Sequence, residues 1–306
     1  NSSQMKKVII AGGSGFIGKK LSQHYIAKGC EVVVLTRKKP HEESGIRFAQ
    51  WDAKTLGPWS NELEGASLLI NMVGRSVDCR YNRENKKQIY ESRIDSTRIL
   101  GKAVNNVLNP PLLWLNSSSA TIYRHAEDRQ MDEATGDIGT GFSVDVCKKW
   151  EEAFFDCETT KTRKVALRSS IVLGKNGGAL KPLINLSKLG FGGYQGNGKQ
   201  YFSWVHEDDL IAAIDFVFSH QEIQGVINIA SPYPQTNKEL MHLLRKILKV
   251  PFGIPMPKFL LEFGAFIINT ETELILKSRN VIPGVLLDNG FVFKYPRLEQ
   301  ALEDLI

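Results

Sequence analysis

The sequence is poor in every pattern that would pin a fold with covalent or metal cross-links. Its 306 residues hold only four cysteines, Cys30, Cys79, Cys147 and Cys157, with no CxxC and no paired spacing. That excludes a disulfide framework and a cysteine zinc site, and it suits a reducing compartment. The six histidines are scattered and form no HExxH, so no metal site is expected. Long apolar runs are missing too. The longest near the C-terminus, Phe259 to Ile268, is too short to span a bilayer and contains Glu262. The chain passes from Asn1-Ser2-Ser3-Gln4 almost directly into a strand-like segment, so no secretory leader is expected. A cytoplasmic protein without membrane contact follows.

Nor is there a concentrated charge of one sign. Lys and Arg number 39 against 33 Asp and Glu, a net +6 spread over the chain. Basic clusters are short (Arg37-Lys38-Lys39, Lys148-Lys149), which reads as a solvated surface and argues against a nucleic-acid partner. A hydrophobic fraction of 42% with 24% charged residues is ordinary globular composition and excludes wholesale disorder. A chain of this size buries about three-quarters of its unfolded surface, enough to fold without staples.

What is present is alternation. Val8-Ile9-Ile10-Ala11, Val32-Val33-Val34-Leu35, Leu68 to Val73, Leu112 to Leu115 and Lys164 to Arg168 are apolar runs suited to strands covered on both faces. Between them, helical patterns run from about Phe16 to Lys28, Asn82 to Val107 and Val144 to Cys157. Repeated β–α units predict an α/β, doubly wound parallel sheet over residues 1–174. After Gly174 a glycine-rich stretch to Gly198 reads as loops around a helix. Helical patterns follow at Asp209–Phe218, Asn237–Leu248, Lys258–Asn269 and Glu271–Arg279. Residues 175–306 are therefore expected to form a smaller, helix-rich lid, partly returning to the sheet.

The strongest local signal is Ala11-Gly12-Gly13-Ser14-Gly15-Phe16-Ile17-Gly18, between the first strand and the first helix. Gly12 permits a tight turn, Gly15 lets a pyrophosphate approach the backbone, and Gly18 lets helix and strand pack closely. The helix start, including Phe16 and Ile17, offers N–H groups and partial positive charge to phosphates. The second strand selects the dinucleotide. An acidic residue at its end would bind the ribose 2′-hydroxyl of NAD, but here it ends Leu35-Thr36-Arg37-Lys38. Arg37 can hold a 2′-phosphate bidentately, with Thr36 and Lys38 beside it, so NADP(H) is the expected cofactor.

These features resemble the short-chain dehydrogenase/reductase superfamily, in its extended, epimerase-like branch with the Rossmann fold. Asn71-Met72-Val73-Gly74 is similar to that superfamily's NxAG turn, which implies cofactor contacts from Met72, Val73 and Gly74. Asn116-Ser117-Ser118-Ser119-Ala120-Thr121-Ile122-Tyr123 is similar to the serine stretch of sugar-nucleotide epimerases. It puts Ser119 at the active-site serine position and Ser117 beside the cofactor. The superfamily's YxxxK pair is absent. Aligned on Glu151, its tyrosine position holds Ser143 and its lysine position Cys147. Lys148 lies about 100° round the helix from Cys147 and cannot simply take over. That departure resembles an atypical branch known as epimerase family proteins, which carries Cys for the lysine and Arg for a helix-four Asn. Here that arginine is Arg93, with Gln88 a further cofactor contact on the same helix. The resemblance covers nearly the whole chain and leaves the reaction open.

Two functions follow. The first is an NADP(H)-dependent reductase, epimerase or dehydratase acting on a small molecule such as a sugar-nucleotide or carbonyl compound. Ser119 would bind the substrate oxygen, and Tyr123 or Cys147 would move a proton. A cation such as Lys148 could tune Cys147, whose other reading is a small buried side chain; Tyr123 can equally be packing. Arg168 could bind an anionic substrate group or pair with Glu133 or Asp132. His206, at a helix start, is a weak substrate contact. The second function is a non-catalytic NADP(H) sensor or scaffold. Both monomer and homodimer are compatible with the basic helix faces.

Overall fold

The apolar runs form strands because their two faces meet different helical layers. The computed structural model describes residues 4–74, 77–267 and 273–306 of the protein. In chain order they form β1 (Lys7–Ala11), α1 (Phe16–Ala27), β2 (Glu31–Thr36), β3 (His41–Glu43), β4 (Ile46–Gln50), β5 (Leu68–Asn71), α2 (Arg83–Asn105), β6 (Leu113–Ser119), α3 (Phe142–Phe155) and β7 (Arg163–Ser169). There follow β8 (Ile171–Leu173), α4 (Leu180–Lys188), β9 (Tyr201–Phe202), β10 (Trp204–His206), α5 (Glu207–Ser219), β11 (Gly225–Ile229), β12 (Gln235–Thr236), α6 (Asn237–Leu248), α7 (Lys258–Ile267), α8 (Glu273–Leu276), α9 (Gly284–Asp288) and α10 (Leu298–Leu305). None of these helices is long and apolar enough to cross a membrane.

Eight strands form one sheet in the order β11-β7-β6-β5-β1-β2-β4-β3. All neighbours are parallel except β3, which runs antiparallel to β4. Val8 and Ile10 of β1 join the cluster holding Leu21 and Tyr25 of α1 and Ile214 of α5. Ile9 and Ala11, pointing the other way, join the cluster holding Leu100 and Val104 of α2 and Phe154 of α3. This is the doubly wound Rossmann arrangement. Strand order reverses between β1 and β5, which opens a crevice at their carboxyl ends.

The Rossmann half matches the sequence expectation closely, and the remainder departs from it in instructive ways. The short strands β3, β8, β9, β10 and β12 carry too little periodicity to read, and β4 is only half-buried. β11, from the region after Gly174, extends the main sheet beside β7. Among the described residues the helix expected over Glu271–Arg279 is present as α8 and ends at Leu276; residues 268–272 lie outside the described residues, as do Asn1–Ser3. Beyond Leu276 the chain is captured by non-local hydrogen bonds. Ser278 Oγ donates to the Ala126 carbonyl (2.5 Å), the Tyr201 N–H donates to Ser278 Oγ (2.8 Å), and the Met131 N–H donates to the Asn280 carbonyl (2.7 Å). The C-terminal region packs its own small core from α4, α6 and α10, with Leu240, Met241, Leu244 and Leu302 around Trp204.

The central strands should dominate stability. Leu69→Ala, at a fully buried position on β5, is expected to cost about 2–5 kcal/mol in urea unfolding. Leu108→Ala, at an exposed position, should stay within about 0.5 kcal/mol of the parent. Equal costs would contradict this picture of the core.

Candidate functional site

The glycine loop is shaped by contacts that leave no room for side chains. Gly12 has φ +80°, and a Cβ there would lie 2.6 Å from the Met72 carbonyl carbon and 2.8 Å from the Val73 nitrogen. The β1 and β5 ends therefore touch backbone to backbone. Gly18 of α1 packs directly on the backbone of Gly13, within the loop. Gly15 is the contrast: a Cβ there would meet nothing within 4 Å. It is the N-cap of α1 and supplies no side-chain cap, and the first turn carries no acid. The α1 N-terminus thus faces open space with its partial positive charge unanswered by any side-chain cap. Ile17 is buried in the core, whereas half-buried Phe16 packs on Gly174, Gly177 and Gly178 of the loop after β8.

At the end of β2, Arg37 and Lys38 are exposed and Thr36 is half-buried, its Oγ accepting the Lys38 N–H (3.2 Å). Arg37 lines a cavity of about 560 Å³ together with Gln50, Trp51, Asp52 and Trp59. Trp51 and Asp52 escaped the sequence reading because they follow β4, a strand without an apolar signature. At the end of β5, buried Asn71 donates to Asn116 Oδ1 of β6 (2.7 Å), and its own Oδ1 accepts the Val73 N–H (3.1 Å). That bond shapes the Met72-Val73-Gly74 turn. The Arg93 guanidinium lies against Gly74, where a Cβ would be 2.9 Å from its Cζ, and stacks over the Trp150 ring at 5.0 Å. Burial pulls its pKa down. Gln88 is exposed on α2 and donates to Glu84 (3.1 Å).

The serine stretch divides its labour. Ser117 and Ser119 are half-buried, while Ser118 points inward and donates to Glu151 Oε2 (2.5 Å). Ser119 Oγ accepts the Thr121 N–H (3.1 Å). Tyr123 is not placed to act on a substrate. It is 2% exposed, its hydroxyl donates to Asn228 Oδ1 (2.8 Å) and accepts from Arg168 (3.1 Å), and burial raises its pKa. Cys147 is also buried, among Ala120, Tyr123 and Val144. Burial, with Glu151 nearby, pushes its thiol up to about 12. The expectation that Lys148 tunes it is corrected, since Lys148 is exposed and the cations acting on the thiol are Arg93, Lys277 and Arg168. Ser143, at the tyrosine position, is half-buried.

Arg168 requires a second correction. Its guanidinium is buried and held by Glu151, through Nε (2.9 Å) and a terminal nitrogen (2.7 Å), and not by Glu133 or Asp132. Burial opposes its charge, but the bonds to Glu151 outweigh that and raise its pKa. Glu133 instead accepts the Asn228 and Val285 N–H groups (2.9 and 3.1 Å), tying β11 to the first turn of α9. With its charge neutralised inside the protein, Arg168 is a structural clamp and not an open anion receptor. His206 is likewise committed. It is 1% exposed, its Nδ1 accepts the Asp208 N–H (2.9 Å), its Nε2 meets Asp304 (2.8 Å), and its ring stacks on Tyr295. This caps α5 and leaves no ring nitrogen for a substrate. His206, Asp208 and Asp304 bring ligand atoms within 4.8 Å of one another, a grouping the sequence does not reveal, but those hydrogen bonds already occupy the ring.

Residues 8–230 match the sequence model of the NAD dependent epimerase/dehydratase family, and residues 256–305 match a domain of unknown function, DUF1731. The chain belongs to the NAD dependent epimerase/dehydratase family. It is similar to human epimerase family protein SDR39U1, with 29% identity over 305 residues covering 98% of this chain and 99% of the relative. The chloroplastic SDR39U1 homolog of Arabidopsis thaliana is 31% identical over 312 residues, covering 99% of this chain and 87% of the relative. The crystal structure of the human protein (isoform2) with NADPH superposes with a TM-score of 0.86 at 29% identity, covering 98% of each chain. A nucleoside-diphosphate sugar epimerase from Corynebacterium glutamicum superposes at 0.79 with 27% identity, covering 99% of this chain and 58% of that one.

If Arg168 is a clamp, Arg168→Met should cost about 3–5 kcal/mol in chemical unfolding, because it strands the buried Glu151 carboxylate. R168M/E151M should recover much of that loss. A single substitution costing under about 1 kcal/mol would return Arg168 to the substrate site.

Proposed function

We propose that the protein binds NADP(H) across the β1–β5 crevice and acts on a small molecule through Ser119, as a reductase, epimerase or dehydratase. The observation that carries this is the order of the strand ends, β2-β1-β5-β6. Along it lie exposed Arg37 after β2, the uncapped α1 N-terminus at Gly15 after β1, and half-buried Ser119 at the end of β6. The fit to a dinucleotide is good at each point. The α1 N-terminus would hold the pyrophosphate, Arg37, Thr36 and Lys38 the 2′-phosphate, and Met72, Val73, Gly74 and Ser117 would flank the rest, with Gln88 and Arg93 on α2 at its edge. When bound, the nicotinamide gives or takes a hydride.

Ser119 Oγ already accepts one N–H and retains its own proton, so it can donate a hydrogen bond to a substrate carbonyl or hydroxyl. A sugar-nucleotide or another carbonyl compound is the substrate class that suits this donor, in keeping with what the Corynebacterium relative is named for. Neither Tyr123 nor Cys147 serves readily as the proton mover, since both are buried. That burial favours a second reading, an NADP(H) sensor that performs no chemistry.

Binding measured by calorimetry should favour NADPH over NADH, and Arg37→Ala should cut that preference by about tenfold or more. An unchanged preference would refute the 2′-phosphate assignment. Stereospecifically deuterated NADPH, offered with a panel of sugar-nucleotides, aldehydes and quinones, separates the two functions. Label transfer lost in Ser119→Ala supports the enzyme, and tight binding without transfer supports the sensor.

A further inference from the structure

The helix that should carry a lysine toward the cleft carries Cys147 there instead, yet a lysine ammonium does reach the serine loop. It comes from the segment after α8. Lys277 Nζ donates to the Thr121 carbonyl (2.6 Å), and Arg279 Nε donates to Thr121 Oγ (3.0 Å). The Thr121 N–H in turn donates to Ser119 Oγ (3.1 Å), so one residue joins Ser119 to two cations from the far end of the chain. The segment is firmly seated. Ser278 is fully buried, its N–H donates to His125 Nδ1 (2.9 Å), and the Val281 N–H donates to Ser203 Oγ (2.8 Å). Lys277 is also one of the cations whose field acts on the Cys147 thiol.

Strand order says what the ammonium would meet. The strands run β6-β5-β1-β2. A dinucleotide whose 2′-phosphate lies at Arg37 beyond β2, and whose pyrophosphate lies at α1 beyond β1, must put its nicotinamide half beyond β5 and β6. That half carries ribose hydroxyls and a carboxamide oxygen, all acceptors for an ammonium with three donors. Resting on the NADP(H) reading above, we infer that Lys277 binds the nicotinamide half of the cofactor, so that the C-terminal region completes a site opened by the Rossmann half.

The test compares two ligands by calorimetry on the full chain: NADPH, and 2′,5′-ADP, which keeps the 2′-phosphate but lacks the nicotinamide half. Lys277→Met should weaken NADPH roughly ten- to a hundredfold and leave 2′,5′-ADP unchanged, while K277R keeps most of the NADPH affinity. Equal NADPH affinity in wild type and K277M overturns the inference. So does an equal loss of both ligands, which would mark Lys277 as structural. Should K277M change nothing while Arg37→Ala weakens both ligands, Lys277 alone is wrong and the cofactor reading stands. A wild type that binds neither ligand removes that reading, and Lys277 with it.

Discussion

Arg168 is a charge buried where the sheet, α3 and the C-terminal region meet, and its burial obliges every neighbour to answer it. An uncompensated guanidinium in such a place would cost several kcal/mol. Glu151 neutralises it from α3, and Ser118 of β6 satisfies the same carboxylate. The remaining reach of Arg168 is spent on Tyr123, whose hydroxyl passes to Asn228 of β11, and the Asn228 N–H passes to Glu133. The chain of bonds fixes α3 against the sheet and holds the serine loop at a set height. It also explains why Tyr123 and Arg168, which look like chemistry in the sequence, are architecture. Ser118 is drawn inward, and Ser117 and Ser119, both half-buried, lie on the opposite face of the strand.

The other half of the site is governed by exclusion instead of attraction. Gly12 and Gly18 let backbones approach so closely that no side chain fits, whereas Gly15 stands open. Along the strand ends, the main-chain dipoles of the α1 N-terminus therefore lie between two side-chain cations, Arg37 after β2 and Arg93 against Gly74 after β5. Arg37 is exposed to solvent, whereas Arg93 is half-buried and lies against Gly74 and Trp150. Anions of quite different size can be met along one groove by these unequal sources of positive charge.

What the sequence reveals follows from the range of the forces involved. Strands β1, β2, β5, β6 and β7 announce themselves because both faces are buried, and the glycine loop because its steric demands are local. Partners brought together by the fold leave no such trace. Glu133 and Asp132 seemed natural mates for Arg168, but α3 places Glu151 on top of it, seventeen residues away in the chain. Lys277 gives no signal at all, because its meaning depends on Thr121, 156 residues earlier. The same holds for the helix expected to reach Arg279. Its local pattern is helical, but the buried hydrogen bonds of Ser278 and Asn280 to the 126–131 loop override it.

The return of β11 to the sheet has a consequence for how the protein is made. β7 leaves the ribosome well before Gly225–Ile229, its neighbour on the outer side. Until that neighbour arrives, a row of unpaired amides and carbonyls is presented to any other nascent chain. β7 carries Arg163, Lys164 and Arg168. In the finished molecule Arg163 and Lys164 donate to backbone carbonyls of neighbouring elements, and Arg168 holds Glu151. Three like charges on one strand disfavour its pairing with an identical copy while that margin is bare.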